Sequence, residues 1–274
     1  IPENIDFNMQ ANFKEVLFDN MKFNNLNGVL VVKNGKVDMK NLSLNTMGGN
    51  VVVNGFYNAP SGSEPLFDAS FRLNEIVFAQ AYEDLNVVRK LAPVFSGLTG
   101  TFSGSMSLNT KLDSTMSPVI SSLTGSGALN TKDLSLNNVG AIQQVADILK
   151  KPSLKDTKVK DLNIEFTIKD GRVETKPFDI KLGDYKMKLS GTTGLDQTID
   201  YRGEITIPAS AGKVADLGTV DMTIGGTFTS PKVGIDLESL AKKAATKAAE
   251  NAISKLLGGG DILIARAKYL IHLG

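Results

Sequence analysis

From Leu162 to Ile168 the chain reads LNIEFTI, with Leu162, Ile164, Phe166 and Ile168 apolar and Asn163, Glu165 and Thr167 polar between them. Successive strand side chains point to opposite faces, so a period of two predicts a strand with one face buried and one in water. FDIKL repeats the pattern, with Phe178, Ile180 and Leu182 against Asp179 and Lys181. YKMKLS sets Tyr185, Met187 and Leu189 against Lys186, Lys188 and Ser190. In IDYRGEITI, Ile199, Tyr201, Ile205 and Ile207 alternate with Asp200, Arg202, Glu204 and Thr206. TFSGSMSL, 101–108, predicts a lighter strand with Phe102, Met106 and Leu108 opposite serines. Such alternation belongs to antiparallel sheets. Asn34-Gly35, Asp170-Gly171, Gly48-Gly49 and Thr193-Gly194 fall between the runs and predict turns, because Asn-Gly and Asp-Gly accept the positive φ of tight hairpins. The predicted fold is mainly β, a curved antiparallel sheet of hairpins.

The pattern also recurs at long range. NLNGVLVVKNGKV, 25–37, matches DLNIEFTIKDGRV, 161–173, at an offset of 136 residues, and the match runs without a gap to Gly55 and Gly191. It aligns Leu30 with Phe166, Leu42 with Phe178, Leu44 with Ile180, Val51 with Met187 and Val53 with Leu189. A one-residue slip would turn every side chain to the other face, so a kept phase predicts two copies of one unit, about 21–76 and 157–208.

Between these units the period changes. APSGSEP, 59–65, reads as a loop. FAQAYEDLNVVRKL, 78–91, and VGAIQQVADILK, 139–150, space their apolar residues by three and four and predict short helices. GGTFTSPKV, 225–233, reads as the last strand, broken at Pro231. Residues 236–257 predict an amphipathic helix, with Leu237, Leu240, Ala241, Ala244, Ala248, Ala252, Ile253 and Leu256 in one stripe and Lys242, Lys243, Lys247 and Lys255 on the remainder. Such a helix suits an anionic membrane surface, but an alanine stripe buries little area, and the preferred expectation is that it covers the end of the sheet. Residues 258–274 form a tail that is either a further strand or an appendage. Residues 1–235 form the β region.

Composition narrows the chemistry. Thirty Lys and Arg nearly cancel 29 Asp and Glu, leaving a net charge of +1 and no concentrated basic field for nucleic acid. Cysteine is absent, which removes disulfides, thiolate metal sites and cysteine nucleophiles together. The single histidine, His272, lies in the tail and reads as a tail residue, since a catalytic histidine needs a positioned partner. No cofactor or metal site is indicated. No stretch approaches the roughly 20 apolar residues that span a bilayer. The chain opens on Ile1, which leads us to expect an anchor or targeting segment outside it.

LNGVLVVKNGKVDMKNLSLNTMGGNVVVNG, 26–55, resembles the strand-turn-strand unit of the AsmA-like proteins. LTGSGALNTKDLSLNNV, 123–139, with its following helix, and GGTFTSPKV with its Ala-rich helix, are similar to that family's C-terminal region. The resemblance covers roughly Ile1 to Leu257, and the order of these segments is more specific than any one of them. It implies kinship with bridge-like lipid-transfer proteins: a chain anchored in the inner membrane through segments outside this one, projecting into the periplasm, with strands curled into an apolar groove. The implied partners are phospholipid or another acyl lipid, with envelope proteins as further partners, and the implied role is lipid transport and outer-membrane biogenesis.

The apolar face itself has two outcomes, a filled core or a cleft for acyl chains. Acyl binding needs no reactive group, only apolar area at about 25 cal/mol per Å². The lipid-groove candidates are Leu30, Val32, Leu42, Leu44, Val51 and Val53 from the first unit. From the second they are Ile164, Phe166, Ile168, Phe178, Ile180, Leu182, Met187 and Leu189. A protein-binding scaffold or assembly factor with a filled core is the alternative. A carboxylate hydrolase is the least supported class, because Glu165, Asp179, Asp200 and Glu204 occupy outward strand positions.

Overall fold

The computed structural model describes residues 4–18, 21–60, 63–208 and 218–256. The protein is mainly β. Its strands are β1 (Phe7–Phe18), β2 (Met21–Lys33), β3 (Lys36–Thr46), β4 (Gly49–Asn58), β5 (Leu66–Val77), β6 (Thr99–Lys111) and β7 (Thr124–Ser135), followed by β8 (Lys158–Val159), β9 (Leu162–Lys169), β10 (Arg172–Leu182), β11 (Tyr185–Gly194), β12 (Ile199–Ile207), β13 (Gly218–Thr227) and β14 (Ser230–Ile235). Among the described residues all belong to one open antiparallel sheet of 14 strands in which spatial order follows chain order, with β8 alone off the path, paired to β7. The helices are α1 (Phe78–Asp84), α2 (Asn86–Leu91), α3 (Gly140–Ile148) and α4 (Leu237–Leu256).

The turns show why the meander forms. Asn34-Gly35 and Asp170-Gly171 have φ of 52° and 71°, and of 52° and 70°, the paired positive values whose twist suits a two-residue hairpin. Two expected turns move. Gly49 already belongs to β4, so that turn is Met47-Gly48, and Thr193-Gly194 is the last pair of β11, with the turn at Leu195-Asp196. The Asp196 carboxylate closes the latter turn by accepting from the Thr198 N–H (3.0 Å) and Thr198 Oγ1 (2.6 Å).

The two aligned units share their registers. Met39 pairs with Gly55, Leu42 with Val53 and Leu44 with Val51; at the offset of 136, Thr175 pairs with Gly191, Phe178 with Leu189 and Ile180 with Met187. Each set contains a register shift at the equivalent place, Met39/Leu42 and Thr175/Phe178. An extra residue there re-phases the strand and keeps apolar side chains on one face across the irregularity. Positive φ also recurs at Asn25 and Asp161, and at Met47 and Gly183.

Other departures have local causes. Residues 78–91 are two helices and not one, because Leu85 is extended (φ −108°, ψ 108°). The Arg89 guanidinium donates to the carbonyls of Tyr82 (3.1 Å) and Glu83, partners that the break would otherwise leave unpaired. Segment 225–233 is a hairpin, and Pro231 lies inside β14, an edge strand, where proline's missing N–H is tolerated. Helix α4 starts beside β13, but Ala241, Ala248 and Ala252, expected to cover the sheet, are exposed. The tail from 258 lies outside the described residues.

Candidate functional site

Register places most of the apolar strand residues on one face of the sheet, with Val29, Val31, Val52 and Phe56 among those on the other. One row of paired residues runs Met9, Leu30, Met39, Gly55, Ala69, Leu108, Gly125, Ile168, Val173, Thr193, Ile199. A second runs Leu42, Val53, Phe71, Met106, Gly127, Phe166, Thr175, Gly191, Tyr201, Ile224, Val233. A third runs Leu44, Val51, Leu73, Gly104, Leu129, Ile164. Val32 lies in the row Phe7, Val32, Val37, Tyr57, Phe67, while Phe178–Leu189, Ile180–Met187 and Leu182–Tyr185 carry the face into the second unit. All fourteen candidate residues therefore share this face.

Glycine keeps the floor of these rows shallow. A Cβ on Gly55 would lie 2.2 Å from the Asp68 carbonyl oxygen, and one on Gly191 would lie 2.3 Å from that of Asp200. The residues opposite differ in size. Gly55 faces Ala69, whereas Gly191 faces Tyr201, whose ring lies over it and whose hydroxyl bonds the hydroxyls of Thr175 (3.1 Å) and Thr193 (3.2 Å). A ring over a sheet glycine replaces the contact the missing side chain would make.

Helices cover part of the face. Phe78 of α1 stacks edge-on against Phe95 with centroids 4.7 Å apart, and both rings meet Phe102 of β6. Leu91 of α2 packs with Leu123, Phe166 and Ile168. Val145 and Ala146 of α3 are completely buried in the same cluster as Leu182, Met187, Ile205 and Met222. Coverage thins towards the first strand. Leu30 and Leu42 are only half-buried, and Phe7 and Phe13 of β1 keep 46% and 42% of their surface exposed. Across the covered middle, Thr131 Oγ1 is buried without a hydrogen-bond partner among the described residues.

The opposite face is mainly polar. Glu165, Asp179, Asp200 and Glu204 stand on it and are exposed. Glu165 is paired with Lys176 at 2.8 Å; the ammonium's hydrogen bond holds its carboxyl below the ordinary range and raises the lysine in return. A shallow depression of about 630 Å³ beside this pair is lined by Ser70, Arg72, Ser105, Ser107 and Thr167 among others. Another, of about 710 Å³, lies at the Met47-Gly48 turn. Among the described residues no cluster of three His, Asp or Glu side chains is placed to hold a metal ion. Among the described residues no helix is long and apolar enough to cross a membrane.

Sequence reading found which residues share the face but missed the exposed aromatics of β1. The alternation Phe7, Met9, Ala11, Phe13 was the available signal. Compared with family models, with curated proteins and with solved structures, the chain gives no match.

Proposed function

We propose that this is a non-catalytic envelope protein whose apolar sheet face binds acyl chains of phospholipid, in transport of lipid between the inner and outer membranes. The observation that carries this reading is the set of mainly apolar rows, one of them running from β1 to β12, with half-buried Leu30 and Leu42 at the thinly covered end. An ordinary core closes over residues of this kind, because burying them is worth about 25 cal/mol per Å². Here Val32, Leu44, Val51 and Val53 are buried but Leu30 and Leu42 are only half-buried, which leaves apolar area for a ligand that needs contact and no reactive group. The shared registers of the two units support their being copies of one hairpin module, the arrangement by which a face of this kind is lengthened. A periplasmic location and an inner-membrane anchor belong to the same proposal and rest on the family resemblance.

Native mass spectrometry with lipid extraction tests the reading. Phospholipid in fixed ratio, lost in Leu30→Asp and Leu42→Asp variants that keep their β-sheet circular dichroism, is the expected result. A lipid-free mass with no uptake of a fluorescent phospholipid from vesicles overturns it and favours the protein-binding scaffold.

A further inference from the structure

The sheet has two edges, and they are finished differently. At β14 the Gln144 side chain acts as a short substitute strand: its Nε2 donates to the Pro231 carbonyl (2.7 Å), and its Oε1 accepts from the Val233 N–H (3.1 Å). β1 has β2 on one side and no strand on the other among the described residues. An edge of twelve residues whose outward N–H and C=O groups have no strand partner among the described residues is a template for another strand. Four of the five exposed large apolar side chains among the described residues, Ile5, Phe7, Phe13 and Leu17, lie on β1 or just before it.

We infer that β1 pairs antiparallel with β1 of a second copy of this chain, about a two-fold axis through Gln10. The strand's own pattern selects this occupant and this register. An antiparallel strand paired with itself must centre on a residue for equal faces to meet. Centred on Gln10, Phe7 faces Phe13 of the other copy twice over, and Asp6 faces Lys14 twice over. Phe7 and Phe13 are both on the apolar face, opposite Val32 and Leu26. Asp6 and Lys14 are both exposed, and Lys14 has no ion pair among the described residues. Centring one residue later would set Phe7 against Glu15 and Asp6 against Val16, and centring one residue earlier would set Phe13 against Ile5 and Lys14 against Asn4, so in neither do the rings meet each other or the charges meet each other. Only the Gln10 register satisfies the rings and the charges together. The axis stands perpendicular to the sheet, so the two apolar faces join on one side. The pairing holds whether or not that face binds acyl chains.

Sedimentation of the full chain over a range of concentrations tests this. A monomer–dimer equilibrium is expected, weakened about tenfold by Lys14→Asp, which replaces two attractions by two repulsions. The double reversal Asp6→Lys with Lys14→Asp restores it. Phe7→Ser with Phe13→Ser weakens it by about a hundredfold, since both aromatic pairs are lost. Because the chain has no cysteine, Gln10→Cys supplies a single thiol on the axis; mild oxidation then gives a covalent dimer about tenfold faster than for Asn12→Cys, which lies off it. A monomer at every concentration overturns the inference. So does a dimer that Lys14→Asp leaves unchanged, or one that the double reversal fails to restore.

Discussion

The hairpin β3–β4 and the hairpin β10–β11 have the same pairings and the same register shift, yet they present different surfaces. Where the second unit has Leu182, Tyr185, Met187, Leu189 and Tyr201, the first has Thr46, Gly49, Val51, Val53 and Ala69 at the equivalent cross-strand places. In the second unit large side chains meet α3 and are almost wholly buried, as at Leu182 (0% exposed) and Met187 (1%). In the first the backbone is kept and the filling is reduced. Backbone hydrogen bonds fix a hairpin's register, whereas side-chain volume decides whether its face closes against a cover or stays open.

The largest expected effect separates the units. Phe166→Ala should cost about 3–4 kcal/mol, because a buried ring packed with Leu91, Leu123 and Ile168 leaves a cavity. Its counterpart Leu30→Ala, at a half-buried position, should cost about 1 kcal/mol. Urea denaturation midpoints with unchanged m-values measure both, and equal losses would break the comparison.

Next comes an effect the units should share. Gly55→Ala and Gly191→Ala each place a Cβ against a carbonyl oxygen of the next strand, at 2.2 and 2.3 Å, and should each cost about 2 kcal/mol. Unequal costs would show that the backbones are less alike than their registers. Smaller is the loss in Tyr201→Phe, about 1 kcal/mol, as the hydroxyls of Thr175 and Thr193 lose their shared partner.

The smallest effect concerns acid. Thr198's hydroxyl and then its N–H hold the Asp196 carboxyl below its ordinary value of 3.8. A depressed folded value stabilises the protein above the unfolded value and loses that contribution as pH falls through the lower folded one. Asp196→Asn should therefore slightly flatten the fall in stability below about pH 4, in thermal melts taken across that range.

Much of this was legible in the chain. LNIEFTI, FDIKL and YKMKLS became β9, β10 and β11 with the predicted faces, because a period of two is a local property. All fourteen candidates fall on one face for the same reason. What covers them was not legible. The break at Leu85 depends on Arg89 reaching back to Tyr82 and Glu83, and the hairpin through Pro231 depends on that strand being an edge. Nor does helical periodicity reveal a cover: the alanines 241, 248 and 252 of α4 share a stripe and are exposed all the same.

Since spatial order follows chain order, the sheet has a definite mechanical character. A force drawing β1 away in the plane of the sheet acts on its bonds to β2 one after another, and only then reaches β3. Apart from the tie of Gln144 in α3 to β14, the ladder bonds join each strand to its neighbours in the chain, so extension from the β1 end should proceed as a staircase of single-strand steps, each with a small rupture force. Two treads are uneven, β5–β6, where α1 and α2 lie within the connection, and β7–β9, where α3 and β8 do, and at each a longer stretch of chain is released at once.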